Sequence, residues 1–254
     1  DVVFQPGLNE DLAATAVWGS QQVQLSPGAR KDGVVGLWYG KGPGVDRCGD
    51  VFKHANAAGS AALGGVLAIA GDDHTCKSSS IPHQSDHAFI SALMPMLYPS
   101  SVHEFLEMGL LGIAMSRFSG CWVGYKVISE TVEISSVVDL AQEVRTFLPP
   151  NDFALPPGGL NLRWPDPPLV QDERLQELKG YAAIAFARAE HGLDHPLSLD
   201  RFRYSGREIF LRVFEQDQDG EERERLLSTF RKQYAFKEVA KLKMERDILK
   251  KAAA

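Results

Sequence analysis

Cysteine is scarce, with three residues in a chain of 254, and Cys48, Cys76 and Cys121 stand at wide, unequal intervals. That spacing supports neither a disulfide framework nor the close-set thiolates of a zinc or iron–sulfur site, and it reads as reduced thiols of a cytoplasmic protein. Also absent is any apolar run of the ~18 residues that a membrane span requires, and the N-terminus has no basic segment leading into an apolar one. Positive charge is not in excess. The formal net charge is −6, which argues against a chain that works chiefly on nucleic acid or on an anionic lipid surface. Only residues 221–254 run the other way, with ten Lys/Arg against six Asp/Glu. There is no initiator methionine; the sequence opens in mid-pattern with Asp1-Val2-Val3-Phe4, and we expect a segment upstream to have been removed.

What is present fits one sizeable α/β domain with an appendage, given 44% apolar side chains. Residues 10–25 carry Leu12, Ala13, Ala16, Val17 and Val23 at helical spacing behind Asn9 as N-cap. Residues 33–39 are short and almost wholly apolar, as in a strand covered on both faces. A glycine-rich turn at 40–44 leads to a helix at 45–59, and residues 65–70 form a second buried strand that stops at Gly71-Asp72-Asp73-His74. A helix near 84–93 and a short strand at 95–99 follow. Ser101 and Glu104 make a capping box ahead of a helix at 102–118, which Gly120 ends, and residues 121–128 read as a strand. Strands alternating with helices imply a doubly wound, mostly parallel sheet over residues 1–148. Residues 149–190 begin with a proline-rich stretch that suits neither helix nor central strand, an extended connector laid along a surface or toward another domain, and return to helix at 172–189. Residues 191–254 read as a charged, helical tail.

Three clusters could carry chemistry. The run Gly40 to Gly44 allows close approach of backbone N–H groups to an anion or cofactor, or is a tight strand-to-helix turn; it has neither Walker nor Rossmann spacing. Asp72, Asp73 and His74, with Lys77, Ser78, Ser79, Ser80, His83, Gln84, Ser85, Asp86 and His87 close behind, follow a parallel strand where open α/β sheets bind ligands. That cluster is open to three readings: contact with an organic cofactor or substrate, a hydrogen-bonded structural loop, or a metal site in which His83 and His87 share a helix face with Asp72 or Asp73. Glu10 opens an otherwise apolar helix, and from the residues alone it reads as a favourable charge at the helix N-terminus.

The run Gly36-Leu37-Trp38-Tyr39-Gly40-Lys41-Gly42-Pro43-Gly44-Val45-Asp46-Arg47, continuing through Asp50-Val51-Phe52-Lys53-His54-Ala55-Asn56, resembles the long fused bacterial indolepyruvate ferredoxin oxidoreductases. So do Ala70-Gly71-Asp72-Asp73-His74, Pro82-His83-Gln84-Ser85, Ala114-Met115-Ser116-Arg117 with Ser119-Gly120-Cys121-Trp122, and Pro156-Pro157-Gly158-Gly159-Leu160-Asn161 with Arg163-Trp164-Pro165-Asp166. The resemblance spans roughly residues 1–190. It implies an enzyme that decarboxylates arylpyruvates on thiamine diphosphate, passes electrons through [4Fe-4S] clusters to ferredoxin, and yields an arylacetyl-CoA. This stretch would be the pyrimidine-binding domain of the thiamine-diphosphate fold, and Glu10 would contact N1′ of the aminopyrimidine. A carboxyl sharing a proton there favours the imino form at N4′, which removes the C2 proton to give the nucleophilic ylid. Tyr39, Gly40, Lys41, Gly42, Asp72, Asp73, His74, Ser78, Ser79 and Gln84 would line the cofactor pocket or the interface around it.

The departures bear on activity. The Mg²⁺-holding diphosphate domain and the cluster cysteines of that family have no counterpart in these 254 residues, so the resemblance implies only the pyrimidine half of a cofactor site, inactive without the remaining domains, and a chain that pairs as a homodimer through faces those parts normally cover. After about Glu190 the likeness stops. Residues 241–251 instead are similar to the closing helix of small helix-turn-helix proteins encoded by insertion sequences, which suggests a gene interrupted by a mobile element. The rival reading of the whole is therefore a non-catalytic binding or transposition-related protein acting through a basic tail.

Overall fold

The Asn9 side chain accepts a hydrogen bond of 2.9 Å from the Leu12 amide and so starts helix α1, Glu10–Gln21, satisfying one of the amides that a helix leaves without an internal partner. A short 3₁₀ turn, Val23–Leu25, finishes what reads in the sequence as one helix. The computed structural model describes residues 2–138, 147–191 and 202–203; the expectations for the charged, helical tail at 191–254 lie outside them, except that residues 202–203 form a strand. In chain order there follow strand β1 (Val35–Lys41), helices α2 (Gly42–Arg47) and α3 (Gly49–Ala58), strand β2 (Gly65–Asp72), helix α4 (Asp86–Ser91), strand β3 (Met96–Leu97), helix α5 (Val102–Ser119), strand β4 (Val123–Ile128), helices α6 (Ser129–Val132), α7 (Pro168–Arg174) and α8 (Gly180–His191), and strand β5 (Phe202–Arg203). The expected helix at 45–59 is two helices broken at Cys48, and the first of them begins inside the glycine run.

The sheet order is β1-β2-β4-β3-β5; the first four strands are mutually parallel and the two-residue β5 pairs antiparallel with β3. The chain moves one way across the sheet from β1 through β2 to β3 and then steps back to β4. Because parallel crossovers are right-handed, that reversal sends α5 to the face opposite α2, α3 and α4. Side chains alternate accordingly along β2. Val66, Ala68 and Ala70 join Ala14, Trp38, Val45, Phe52 and Phe89 on one face, where Trp38 meets Phe52 edge-on at 5.1 Å. Leu67 joins Val123, Tyr125, Met108, Leu111 and Phe186 under α5 and α8 on the other. This is an α/β domain with helices on both faces of a four-stranded parallel sheet.

Strand β1 departs from expectation: it is an edge strand covered on one face only. Gly36 and Trp38 point to α1, and a Cβ on Gly36 would lie 2.7 Å from the Val17 side chain. Val35, Leu37 and Tyr39 are exposed, Tyr39 to 65%. An apolar run needs no second cover if its outer face is used for something else.

The proline-rich stretch folds back along the amino-terminal end of the sheet. Leu160 is fully buried, and Gly120, in the left-handed region at φ 75° behind α5, leaves room for the Leu160 backbone. The Leu162 amide donates to the Ser60 carbonyl at 2.9 Å, and Arg174 spans the carbonyls of Gly159 and Asn161 and the Asp166 carboxylate. Behind this strap a five-residue π turn, Leu175–Lys179, joins α7 to α8 and delivers the buried Lys179 ammonium to the last carbonyls of α3, at 2.7 Å from Ala57 and 3.4 Å from Asn56.

Burial drives the Lys179 pKa down from 10.5 to about 8. Between those values the unfolded chain holds the proton and the folded chain does not, so stability contributed at this site rises with pH across that window. We predict that wild type gains up to about 3 kcal/mol over Lys179→Met as the pH is raised through it; urea unfolding at its two ends measures the difference, and a pH-independent gap overturns the assignment.

Candidate functional site

Three parallel strands end together at Lys41, Asp72 and Ile128, the edge at which α/β sheets bind ligands. A groove of about 1400 Å³ opens there and runs along the uncovered face of β1. Leu37, Tyr39, Ile69 and Val127 line it on that face, and Glu10 and Arg47 line it around the edge of the strand, on the side where α1 packs. The structure thus brings together Glu10, Tyr39, Gly40, Lys41, Asp72, Asp73 and Ser78 around one opening. It places Gly42, His74, Ser79 and Gln84 outside the lining.

Glu10 is held at the groove from three sides. Its own carbonyl accepts a hydrogen bond of 3.1 Å from the Trp38 indole. Its side chain, 40% exposed, lies 3.7 Å from the Arg47 guanidinium, which also reaches Asp11 at 3.3 Å. Its Cγ rests against Gly44, where an added Cβ would sit 2.5 Å away. A partly exposed pair of this kind contributes under about 1 kcal/mol to stability, so its effect is orientation.

Gly42 serves a second side chain in the same way. Its Cα lies against the His83 ring, which any Cβ there would overlap. Residues 40–44 are therefore not a loop: the first two finish β1, the next three begin α2, and their glycines admit the protein's own side chains. His83 comes before α4 and His87 is exposed within it, so the two do not share a helix face as their spacing suggests. Among the described residues no group of three His, Cys, Asp or Glu side chains could hold a metal ion.

The acidic pair after β2 is committed to internal bonds. Asp73 accepts from the amides of Lys77, Ser78 and Ser79 at 2.7–2.8 Å, and those bonds, Ser78 foremost, hold its carboxyl down at about 2. Lys41 crosses to the same loop and donates to the Ser78 carbonyl. The Asp72 side chain is fully buried; it accepts from the Ser85 amide at 2.8 Å and hydroxyl at 2.6 Å, and it faces His83 Nδ1 and Lys126 Nζ at 3.5 Å each. Lys126, buried in β4, donates to Asp86 at 2.5 Å, and His83 Nε2 stands 2.8 Å from Asp46. Ser85 and Asp86 belong to the polar cluster after β2 and Asp46 to the run at 36–47, but Lys126, 40 residues beyond Asp86 and inside an apolar strand, gives no signal in the sequence.

No known protein family, characterised protein or solved structure matches the chain. The chemistry is thus read from the geometry: Glu10 presents an oriented, partly exposed carboxylate able to accept a hydrogen bond from a ligand in the groove.

The two glycine contacts give a graded expectation. Gly42→Ala and Gly44→Ala each lose roughly 1–3 kcal/mol, because a methyl group is forced against a packed neighbour, whereas Gly49→Ala, with nothing within 4 Å of the added atom, is neutral or gains up to about 1 kcal/mol. Urea denaturation of the three variants checks the order, and equal effects at all three sites would show that the contacts do not set it.

Proposed function

We propose that this chain supplies the pyrimidine-binding side of a thiamine-diphosphate-dependent 2-oxoacid:ferredoxin oxidoreductase of the indolepyruvate type. In this reading the domain is of the thiamine-diphosphate-binding fold and belongs to a cytoplasmic enzyme. The whole enzyme converts an arylpyruvate and CoA to an arylacetyl-CoA and CO₂, with ferredoxin accepting the electrons. The observation that supports it is the placement of Glu10, at the start of α1, in the lining of the groove that opens at the carboxyl-terminal end of the parallel strands and also takes in Leu37 and Tyr39.

Thiamine diphosphate, when bound, supplies the electron sink that decarboxylation of a 2-oxo acid requires. The chain's own part is narrower. Glu10 would accept the proton-bearing N1′ of the aminopyrimidine and share that proton as general acid and base. Arg47 and Gly44 orient the carboxylate, and Leu37 and Tyr39, around the edge of β1, would offer apolar surface to the rest of the ligand. In this reading the donors of this chain serve the aminopyrimidine half of the cofactor. In the proposal, the remaining domains bring the diphosphate site and the [4Fe-4S] clusters, and a second copy of the chain completes a homodimer.

A half-site predicts a particular pattern of affinity. Thiamine should bind the full chain at roughly millimolar strength, about −4 kcal/mol, with amide shifts centred on Glu10 and the Trp38 indole, and Glu10→Gln should weaken it about tenfold or more. Addition of diphosphate and Mg²⁺ to the ligand should add nothing. Nitrogen-15 NMR titration with thiamine and with Mg²⁺–thiamine diphosphate tests this; absence of shifts at Glu10, or a micromolar gain from the diphosphate, overturns the reading.

A further inference from the structure

The six residues of α2 touch two functional side chains on two different faces. Gly42 and Asp46, four apart and so on one side of the helix, both meet His83, the first through its Cα and the second through a carboxylate 2.8 Å from Nε2. Gly44 and Arg47, three apart and on the other side, both meet Glu10, the first through close packing and the second through an ion pair of 3.7 Å. Val45, fully buried between them, fixes the helix to the core. The contacts to His83 and to Glu10 are thus made by one short helix anchored at Val45.

His83 is placed to act on that helix. Its ring is 13% exposed, and each nitrogen faces a carboxylate: Asp46 of α2 on Nε2, and Asp72 of β2 on Nδ1. A neutral imidazole has one N–H and one lone pair, so it satisfies one of these oxygens and turns a lone pair toward the other. Only the ring with both nitrogens protonated can donate to both. The other charged groups of the cluster, Lys126 of β4 at 3.5 Å from Asp72 and Asp86 of α4 at 2.5 Å from Lys126, are engaged with each other and with Asp72.

We propose that His83 is a positioning residue for Glu10, acting through α2: with both ring nitrogens protonated it bridges Asp46 of α2 to Asp72 of β2 and sets the carboxylate in the groove, and on losing a proton it can donate to one of them only, so that the bridge between α2 and β2 opens. The proposal rests on the reading of Glu10 as the group that meets the bound ring. Burial by itself lowers the pKa of His83, but the hydrogen bonds and charges of Asp46 and Asp72 outweigh it, and the pKa stands above 6.5. The bridge is therefore closed below that value and opens as the pH rises through the folded pKa.

The Trp38 indole donates to the Glu10 carbonyl at 3.1 Å, which makes its N–H resonance a reporter of where the start of α1 lies. In a pH titration of the full chain without ligand, followed by NMR, the His83 ring and the Trp38 indole should move in one step with a common midpoint above 6.5. The indole step should vanish in His83→Gln and in Asp46→Asn. A role confined to holding the loop would leave the indole unmoved, so a silent indole in wild type overturns the proposal, as does a step that survives in His83→Gln. The wild-type titration decides the matter even where a variant does not fold. With no ligand present, a negative result strikes the bridge alone, whereas loss of thiamine shifts strikes the reading of Glu10.

Discussion

Burial of the Asp72 carboxylate is the constraint around which the carboxyl-terminal end of the sheet is arranged. Strand β2 is central and covered on both faces, and its last residue carries a charge into the interior. Leaving a carboxylate there without partners costs several kcal/mol. The chain meets this by folding residues 73–85 back over the strand end, so that the Ser85 amide and hydroxyl, the His83 ring and the Lys126 ammonium all converge on one side chain. Once the loop is so placed, Asp73 is positioned to gather three amides of the same turn, and His83 comes to rest against α2. The close approach of α2 then depends on Gly42, and through Gly44 and Arg47 the same helix fixes Glu10. One buried charge thus propagates to the rim of the groove.

The two ends of the sheet divide the work. At the amino-terminal end, the residues that read as a connector are a strap sealed by Leu160, Arg174 and Lys179, whose polar groups are matched to backbone carbonyls. Such bonds fix geometry and present nothing to a ligand. At the carboxyl-terminal end, carboxylates and cations meet one another beside an open groove, and the hydrogen bonds there include one, at the His83 ring, whose donors change with pH.

Much of this is legible in the sequence where the cause is local. Asn9, Ser101 and the apolar periods around them mark α1 and α5 because a cap acts within one turn; Glu104 accepts from the Ser100 amide and hydroxyl at 2.7 Å while its own amide donates to Ser101. The parallel order and the two-faced core follow from alternation of short apolar runs with helices. What the residues do not disclose is whether a run is covered. Val35, Leu37 and Tyr39 have the composition of a buried strand, and only the order of strands reveals β1 as an edge. Of the two readings open for the glycine run, the tight passage from strand to helix holds; that its glycines at 42 and 44 are room for His83 and Glu10 is not legible, since the occupant lies 41 positions ahead in one case and 34 behind in the other. Spacing alone misplaces His83 and His87 on one helix because Ser85, not Gln84, precedes the first turn.

The exposed face of β1 sets the limit on what the groove can hold. A site that binds a small molecule tightly encloses most of its surface, and here the apolar surface is one face of a single edge strand, with a half-exposed ion pair around its edge. A ring laid on Leu37 and Tyr39 would be covered on one side and open on the other. Hydrophobic contact over one face of a ring of this size is worth only a few kcal/mol at about 25 cal/mol per Å², of which the loss of translational and rotational freedom consumes a large share. Tight binding at this groove therefore requires a second surface brought against β1. That surface would cover the apolar edge and the ligand in the same step, so assembly and binding at this site are expected to be thermodynamically linked.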